Sequence, residues 1–264
     1  MRPGCGPGTY NPDFYDLAAA GTFHGDIEWY CRKAREYGGP ILELGAGTGR
    51  ITLPVAQEGL SVHALDAHPG MLDALRRKIE ALPREVRQLI TITEGDMRRF
   101  RLEQKFSFVI IPFRAFLHNL TPDDQLACLQ CVHEHLIPGG RLAFNVFHPS
   151  LEYMAQHAGP LAGIWRWTNS YVLPEGGHVL RSEANRYDTV QRRVHSRHRY
   201  EHYDADGTLT RTFLQHLELA YLYPPDIRHL LERSGFDAIE ITGDFNGRPF
   251  QTDTDELVVE ARRA

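Results

Sequence analysis

The sequence predicts an α/β protein in which a doubly wound, mainly parallel sheet carries an antiparallel β cap, inserted after the fifth strand. Two patterns support this fold class. From residue 38 onward, short apolar runs alternate with amphipathic helical segments, as is typical of a doubly wound sheet. Further on, Asp206-Gly207 separates two long segments of strand-like alternation and predicts a β-hairpin. With 264 residues, the chain is long enough for one large domain or for a core with an appendage.

Five buried apolar runs are expected to form the parallel strands, at residues 41–45, 61–66, 89–96, 106–113 and 141–147. Helical periodicity fills most of the segments between them. The helix before the fifth strand, for example, starts at a Thr/Asp signal and ends at Pro-Gly-Gly. After the cap, one more helix and two closing strands complete a predicted sheet of seven strands.

The order of these elements predicts three parts of the chain. Residues 1–37 are expected to form an N-terminal helical lid, because DIEWYCRKAREYGG has helical periodicity and ends at a Gly-Gly stop. Residues 38–150 and 224–264 would build the ligand-binding core, and residues 151–223 would form the cap. Sheets inserted over the carboxyl edge of a parallel sheet commonly cover a ligand crevice. The cap is therefore expected to contact a substrate or a second subunit.

Charge and hydropathy narrow the classes of partner. The chain has 29 Lys and Arg against 34 Asp and Glu, and this net charge of -5 disfavours a nucleic-acid partner. Its apolar runs are shorter than the roughly 18 residues that suggest a membrane-spanning helix, and its first residues lack the apolar stretch of a secretory signal. We therefore expect a cytoplasmic protein with no membrane partner.

The four cysteines predict neither a disulfide scaffold nor a metal site. Cys128 and Cys131 form a C-x-x-C pair on a predicted amphipathic helix. The two neighbouring histidines are two residues apart and do not share a helical face, so this helix lacks a full set of zinc ligands. We expect small buried cysteines and no metal.

A glycine loop, Gly45-Ala-Gly47-Thr-Gly49, directly follows the first strand and opens a helix. Glycines allow the backbone to turn sharply and to approach a ligand, while a helix N-terminus presents unpaired N–H groups. The dinucleotide fingerprint is G-x-G-x-x-G, whereas Arg50 occupies the position of its third glycine here. The loop therefore favours another adenosine ligand over a nicotinamide or flavin dinucleotide, without excluding these.

Three acidic residues accompany the loop. Asp66 ends the second strand and Asp96 follows the third, where carboxylates can accept hydrogen bonds from ribose hydroxyls and from an adenine amino group. Either residue alone could instead cap the helix that follows it. Glu43 lies in an otherwise apolar strand, where a carboxylate without a partner is costly. Together, these residues indicate an adenosine-binding crevice.

With these motifs, the chain resembles the class I S-adenosylmethionine-dependent methyltransferases, in which ELGAGTGR, HALDAHPGML, EGDMRRF and LIPGGRLAFNVF appear in this order. The resemblance implies a Rossmann-like methyltransferase sheet and S-adenosylmethionine as the cofactor. It implies a methionine portion held near Gly45 and Gly47 and lined by Phe113, a ribose on Asp66, and an adenine read by Asp96 and Met97. The implied cofactor residues are Tyr15, Glu43, Gly45, Ala46, Gly47, Arg50, Asp66, Ala67, Met71, Asp96, Met97 and Phe113.

Histidines are the natural general bases near neutral pH, and two of them follow strands of the core. His118 lies just after the fourth strand, and His148 lies directly after the fifth. Because both strand ends face the crevice of such a sheet, these are the predicted catalytic residues. The hairpin histidines His195, His198 and His202 are expected on a solvated or sheet-packed strand.

The resulting hypothesis is methyl transfer to an amine or hydroxyl of a small metabolite. The inserted cap resembles that of the aminosugar N-methyltransferases, and an even balance of arginines and acids over residues 171–222 favours a small molecule over a polyanion. The fourth strand lacks an Asn/Asp-Pro-Pro-Tyr/Phe motif, which counts against methylation of adenine or glutamine. An NAD-dependent oxidoreductase, a non-catalytic S-adenosylmethionine-binding subunit and a homodimer through the cap remain further hypotheses.

Overall fold

The computed structural model describes residues 10–20, 25–174, 176–253 and 255–264. The helices are α1 (Pro12–Ala20), α2 (Asp26–Tyr37), α3 (Thr52–Gln57), α4 (Pro69–Glu80), α5 (Arg84–Arg87), α6 (Pro122–His135), α7 (Leu151–Ala155) and α8 (Pro224–Arg233). The strands are β1 (Ile41–Leu44), β2 (Val62–Asp66), β3 (Ile90–Glu94), β4 (Phe106–Ile111), β5 (Leu136–Phe147), β6 (Arg166–Val172), β7 (His178–Asp188), β8 (Arg193–Tyr203), β9 (Leu209–Ala220), β10 (Phe236–Thr242) and β11 (Glu256–Arg263). Short 3₁₀ helices span Ala115–His118 and Gly159–Leu161.

The larger sheet has seven strands in the order β10, β11, β5, β4, β1, β2, β3. Strands β1 to β5 run parallel, whereas β11 lies antiparallel to its neighbours β5 and β10. The strand order reverses between β1 and β4, and ligands bind outside the carboxyl ends of the strands at such a point. The predicted doubly wound sheet of seven strands, with a separate antiparallel sheet, is confirmed.

Helices cover both faces of this sheet, so its central strands are buried on both sides. In β1, Ile41 packs in one apolar cluster with Tyr30 of α2, while Leu42 packs in a second cluster with Leu129 of α6. This explains why β1 is a continuous apolar run rather than an alternating one. The one polar side chain in β1, Glu43, is also buried.

Strand β5 begins at Leu136, whereas its apolar run begins at residue 141. Phe106 of β4 pairs with Leu136 and Phe108 pairs with Arg141, so the Pro-Gly-Gly segment bulges between these two pairs. Gly139 has a φ of 76°. The segment expected only to end a helix therefore also starts the next strand through a bulge that a left-handed glycine permits.

The cap sheet is the antiparallel meander β6, β7, β8, β9. The predicted hairpin at Asp206-Gly207 joins β8 to β9, with the Asp204 N–H donating to the Thr208 carbonyl oxygen at 3.0 Å. Helix α1 packs against the inner face of the cap sheet, where Phe14 stacks on Tyr200 with 5.1 Å between ring centroids.

The N-terminal segment divides into two helices with different roles. Helix α1 bridges the cap and the core, since Asp16 accepts a hydrogen bond from Thr48 at 2.6 Å and pairs with Lys78 at 2.6 Å. Helix α2 belongs to the core layer and buries Trp29 and Tyr30. Residues 1–9 and 21–24 lie outside the described residues, so a lid over residues 1–37 stays a prediction.

Asn145 of β5 connects three parts of the fold and is completely buried. Its Oδ1 accepts hydrogen bonds from the Tyr30 hydroxyl and from the Phe113 N–H, both at 2.9 Å. Its Nδ2 donates to Glu256 at 2.7 Å. Phe113 and Arg114 both have a positive φ, of 55° and 65°, which is strained for residues with side chains. Asn145 thus holds the strained segment after β4 against α2 and β11.

We expect Asn145→Ala to lower the free energy of unfolding by about 2–4 kcal/mol, because the buried Tyr30 hydroxyl and the Phe113 N–H each lose a hydrogen bond to Asn145. Urea unfolding monitored by circular dichroism measures this loss. Asn169→Ala, which changes an exposed asparagine of β6, is the matched control and should cost less than about 0.5 kcal/mol. Equal losses in the two variants would contradict a structural role for Asn145.

Candidate active site

A cavity of about 1130 Å³ lies between the carboxyl edge of the larger sheet and the inner face of the cap sheet. Pockets for one small ligand usually measure about 300–1,000 Å³, so this cavity has room for a cofactor and a second molecule. Nine of the twelve predicted cofactor residues line it, namely Tyr15, Gly45, Gly47, Asp66, Ala67, Met71, Asp96, Met97 and Phe113. Glu43, Ala46 and Arg50 do not line it, and the structure places them behind its wall.

The glycine loop forms the floor of the cavity at the end of β1. Gly45 and Gly47 have φ values of 72° and 57°, a conformation that residues with a Cβ rarely adopt. A Cβ on Gly45 would lie 2.6 Å from the Cβ of Ala115, so the loop fits directly against the segment after β4. A Cβ on Gly47 would approach Met71 Cε to 3.4 Å and narrow the cavity.

Asp66 joins the glycine loop to the end of β2. Its Oδ2 accepts the Gly47 N–H and its Oδ1 accepts the His68 N–H, each at 2.8 Å. Burial raises the pKa of Asp66, while these N–H groups oppose the rise. Because each carboxylate oxygen has a second lone pair, both can also accept hydrogen bonds from a pair of ligand hydroxyls. This geometry fits the ribose-binding role that the resemblance implies.

Asp96 follows β3 and is paired with Arg98 and Arg99. The Arg98 guanidinium donates to it from Nε at 2.9 Å and from Nη2 at 2.6 Å, and this holds the pKa of Asp96 below its ordinary value. Arg98 also reaches Asp124 at 3.0 Å. Asp96 and Met97 line the cavity side by side, and adenine recognition by them stays a prediction.

Glu43 is enclosed beneath the loop. Its carboxyl accepts a hydrogen bond from the Thr52 hydroxyl at 2.5 Å, and burial raises its pKa from 4.5 to about 8. The nearby charge of Asp66 raises this pKa further, whereas Thr52 and Arg50 oppose the rise. Glu43 is therefore protonated at neutral pH in the cofactor-free protein. It supports the loop rather than presenting a carboxylate to the cavity.

Arg50 is neutralised by α2 rather than directed at a ligand. Its two terminal nitrogens donate to both oxygens of Asp26, at 2.6 and 2.7 Å, in a buried bidentate pair. Its guanidinium also lies 5.0 Å from the ring centroid of Phe113, against which Tyr15 packs edge-on at 5.7 Å. Arg50 thus connects α2 to Phe113, and a contact of Arg50 with the cofactor stays a prediction.

His118 reaches the cavity at the end of the 3₁₀ helix after β4. Its Nε2 forms a hydrogen bond of 2.9 Å with the hydroxyl of Tyr10, whose ring packs edge-on against Tyr15. Burial lowers the pKa of His118 to about 4, so its imidazole is uncharged at neutral pH. A neutral ring in this place can accept a hydrogen bond.

His148 also lines the cavity, on the side of β11 and the cap. Its Nδ1 lies 3.3 Å from the carbonyl oxygen of Asp253, and its ring packs against Tyr223 and Phe250. The two predicted catalytic histidines therefore open into one cavity and follow different strands. A catalytic role for either stays a prediction.

The cap contributes a polar cluster that sequence reasoning missed: Tyr153, Arg181, Glu183, Asn185, Ser196 and His198 all line the cavity. His198, expected on a solvated or sheet-packed strand, is packed in the sheet and forms part of the cavity wall. Burial with the charge of Arg181 lowers its pKa to about 4. The alternation Arg181, Glu183, Asn185 along β7 was the available signal, since these residues share one face of the strand.

His68 is a further residue that sequence reasoning missed. It follows Asp66 by two positions and caps α4, where its Nδ1 accepts the Met71 N–H at 3.2 Å. Its ring also lines the cavity. A polar residue between a strand-end acid and a Pro-Gly helix start was the signal for this position.

Metal and membrane features are absent from the part of the chain that the structure describes. Within these residues, there is no group of three or more His, Cys, Asp or Glu side chains that could hold a metal ion. In the same ranges, no helix has the length and apolar character needed to cross a membrane.

The raised pKa of Glu43 predicts how the free energy of unfolding changes with pH. With its pKa raised, folded Glu43 retains a proton that the unfolded chain loses between pH 4.5 and about 8, so this group makes the protein less stable as pH rises through that window. Glu43→Gln removes the titration. The quantity compared is the free energy of unfolding of Glu43→Gln minus that of the unaltered protein. We expect this difference to increase by on the order of 3 kcal/mol from pH 5 to pH 9.

Urea unfolding at several pH values without cofactor measures this change. Glu94→Gln, at the exposed end of β3, is the matched control and should show a small difference at every pH. A constant difference for Glu43→Gln across the range would refute a protonated Glu43.

The comparisons with known proteins agree with this geometry. Residues 41–140 match a family model described as a methyltransferase domain. A cypemycin N-terminal methyltransferase of a Streptomyces species is 25% identical over 94% of each chain. Among solved structures, the CcbJ methyltransferase from Streptomyces caelestis has a TM-score of 0.79 and 26% identity over 98% of each chain. The glycopeptide N-methyltransferase MtfA has a TM-score of 0.57 and 26% identity, over 96% of this chain and 98% of its own.

The family match decides between the cofactors that the glycine loop left open, in favour of S-adenosylmethionine. The residues present fit this group, because Asp66 has free lone pairs for two ribose hydroxyls and Gly47 keeps the cavity open between Tyr15 and Met71. The matched domain contains the strands, the loop and the acids that form this half of the cavity, and the similarity to methyltransferases extends over nearly the whole chain. Residues 41–140 thus match a methyltransferase domain, and nearly the whole chain is similar to S-adenosylmethionine-dependent methyltransferases.

Proposed function

We propose that the protein methylates an amine nitrogen of a small molecule. The observation that carries this proposal is the neutral His118, paired with Tyr10, in a single cavity that extends from the cofactor loop to the cap. S-adenosylmethionine supplies a methyl group bonded to a positively charged sulfur. An uncharged imidazole beside such a cation offers a hydrogen-bond acceptor without adding a second positive charge.

The chain's own residues have three tasks in this reaction. Asp66 and the glycine loop hold the cofactor, and the cap encloses the acceptor and excludes water. An amine arrives largely as an ammonium ion, and its nitrogen needs a free lone pair to attack. The ammonium ion releases a proton to solvent before transfer. We propose that His118, oriented by Tyr10, then accepts a hydrogen bond from the neutral nitrogen, which forms its bond to the methyl carbon while the sulfur keeps the electron pair of the bond that breaks. Positioning of the two reactants supplies much of the remaining rate.

The choice of nitrogen rests on the similar proteins. The cypemycin enzyme is described as an N-terminal methyltransferase and MtfA as a glycopeptide N-methyltransferase, and both are similar over nearly the full length of this chain. Their acceptors differ, but an amine is common to the two descriptions. The carboxylate of Glu183 adds to this choice, because it lines the cap side of the cavity and its contact with Arg181 is long, at 3.3 Å. Glu218 and Glu256 also line the cavity but are paired more closely, with Arg193 at 3.0 Å and Arg114 at 2.7 Å. A weakly paired carboxylate favours a cationic acceptor over a neutral alcohol.

A transfer assay with methyl-labelled S-adenosylmethionine tests the function. We expect label in at least one of three amines, glucosamine, tyramine and trialanine, and less in their hydroxyl counterparts glucose, tyrosol and lactoyl-dialanine. Mass spectrometry locates the new methyl group. Transfer to the hydroxyl compounds alone would overturn the proposal. Cofactor binding without transfer to these compounds or to a metabolite extract would instead favour a non-catalytic subunit.

The role of His118 has its own test. We expect His118→Ala to lower kcat for the methylated amine about 100-fold, while the Kd of S-adenosylmethionine stays within about twofold, because the hydrogen bond that orients the attacking nitrogen is lost and the cofactor contacts remain. His216→Ala, on an exposed position of β9, is the matched control and should keep full activity. If His148→Ala reduces kcat and His118→Ala does not, the histidine that orients the nitrogen is His148.

A further inference from the structure

Glu183 stands at the centre of the polar cluster on the inner face of the cap. The Tyr153 hydroxyl donates to its Oε1 at 2.6 Å, and Asn185 Nδ2 donates to the same oxygen at 3.2 Å. Asn185 Nδ2 also donates to the Tyr153 hydroxyl at 2.8 Å, which links the three side chains. The carboxylate is therefore held in one orientation from α7 and from its own strand, and it lines the cavity.

The second oxygen of Glu183 is less fully occupied. Arg181 Nη2 donates to Oε2 at 3.3 Å, a long contact, and also lies 3.3 Å from His198 Nε2. His198 is 4.0 Å from Oε2 and is uncharged at neutral pH. Among the described residues, Arg181 is thus the charged side chain that donates to Glu183 within 4 Å. The same Nη2 atom of Arg181 also lies close to His198. Oε2 retains a lone pair for a donor from the cavity.

Aromatic side chains complete this wall. Tyr187 and Tyr200 line the cavity on either side of the cluster, one on β7 and the other on β8. The negative charge of Glu183 adds to burial in raising the pKa of Tyr187, so the two groups are electrostatically close. A cation bound here would therefore meet a carboxylate among aromatic side chains, a combination that favours ammonium groups.

We infer that Glu183 is an acceptor-binding residue that takes a protonated amino group of the methyl acceptor at its Oε2. This inference rests on the proposed function and names the contact that selects an amine over an alcohol. Tyr153 and Asn185 act as positioning residues, because they hold the carboxylate through Oε1 and leave Oε2 toward the cavity.

Calorimetric titration of the complex with S-adenosylhomocysteine tests this contact. The probes are glucosamine and glucose, tyramine and tyrosol, and trialanine and lactoyl-dialanine, so each amine has a neutral counterpart of similar shape. For at least one pair, we expect the unaltered protein to bind the amine about 10-fold more tightly or better, as for a charge-assisted hydrogen bond. Glu183→Gln should reduce this preference to about twofold, with an unchanged Kd for S-adenosylhomocysteine.

The preference ratio separates loss of the contact from a general structural defect, which would weaken both members of a pair. Glu201→Gln is the matched control, since Glu201 lies on the opposite face of the cap sheet and pairs with Arg199 at 3.3 Å. It should keep the full ratio. If Glu183→Gln does not fold, Tyr153→Phe, which removes the shortest hydrogen bond to Glu183, should lower the ratio about threefold.

Two results would overturn the inference. One is a full amine preference in folded Glu183→Gln, or in Tyr153→Phe where Glu183→Gln does not fold. The other is an unaltered protein that binds no amine more tightly than its counterpart. In either case, labelled methyl transfer to an amine would still support the proposed function. The proposed function fails by a different result, which is methyl transfer to the hydroxyl compounds alone.

Discussion

The hydrogen bonds of buried Asn145 set the shape of the catalytic crevice. Parallel strands leave their carboxyl ends open, and the segment after β4 crosses this opening in a strained conformation. Asn145 offsets the strain by accepting the Phe113 N–H while it also accepts the Tyr30 hydroxyl and donates to Glu256. A single amide therefore aligns α2, the segment after β4 and β11. The positions of Phe113 and of the 3₁₀ helix that ends at His118 follow from this alignment.

The groups behind the glycine loop and the histidine in front of it carry no net charge. Behind the glycine loop, Glu43 is protonated and Arg50 is neutralised by Asp26, so neither adds a net charge beneath the cofactor. In front of the loop, His118 is neutral. This arrangement suits a cationic cofactor, because uncompensated positive charge near it would weaken its binding. Asp66 remains as the acid that faces the cavity beside the loop.

The cap forms the other half of the cavity wall. A meander exposes alternate residues of each strand on one face, so β7 presents Arg181, Glu183 and Asn185 to the cavity in one row. The core can therefore keep its cofactor site while changes along one strand alter the acceptor. Helix α1 ties the two halves together through the stack of Phe14 on Tyr200 and the hydrogen bond between Asp16 and Thr48.

The sequence by itself determined the seven-stranded sheet, the cap hairpin, the glycine loop and Asp66, because these depend on local periodicity and on short motifs. It did not determine the roles of Glu43 and Arg50, which depend on whether a side chain at a strand or loop end turns toward the cavity or beneath it. It also left His198 open between a solvated and a sheet-packed position, because alternation distinguishes the two faces of a strand but does not show which face the rest of the protein covers. Only the tertiary structure decided these, because burial and pairing arise from elements that are distant in the chain.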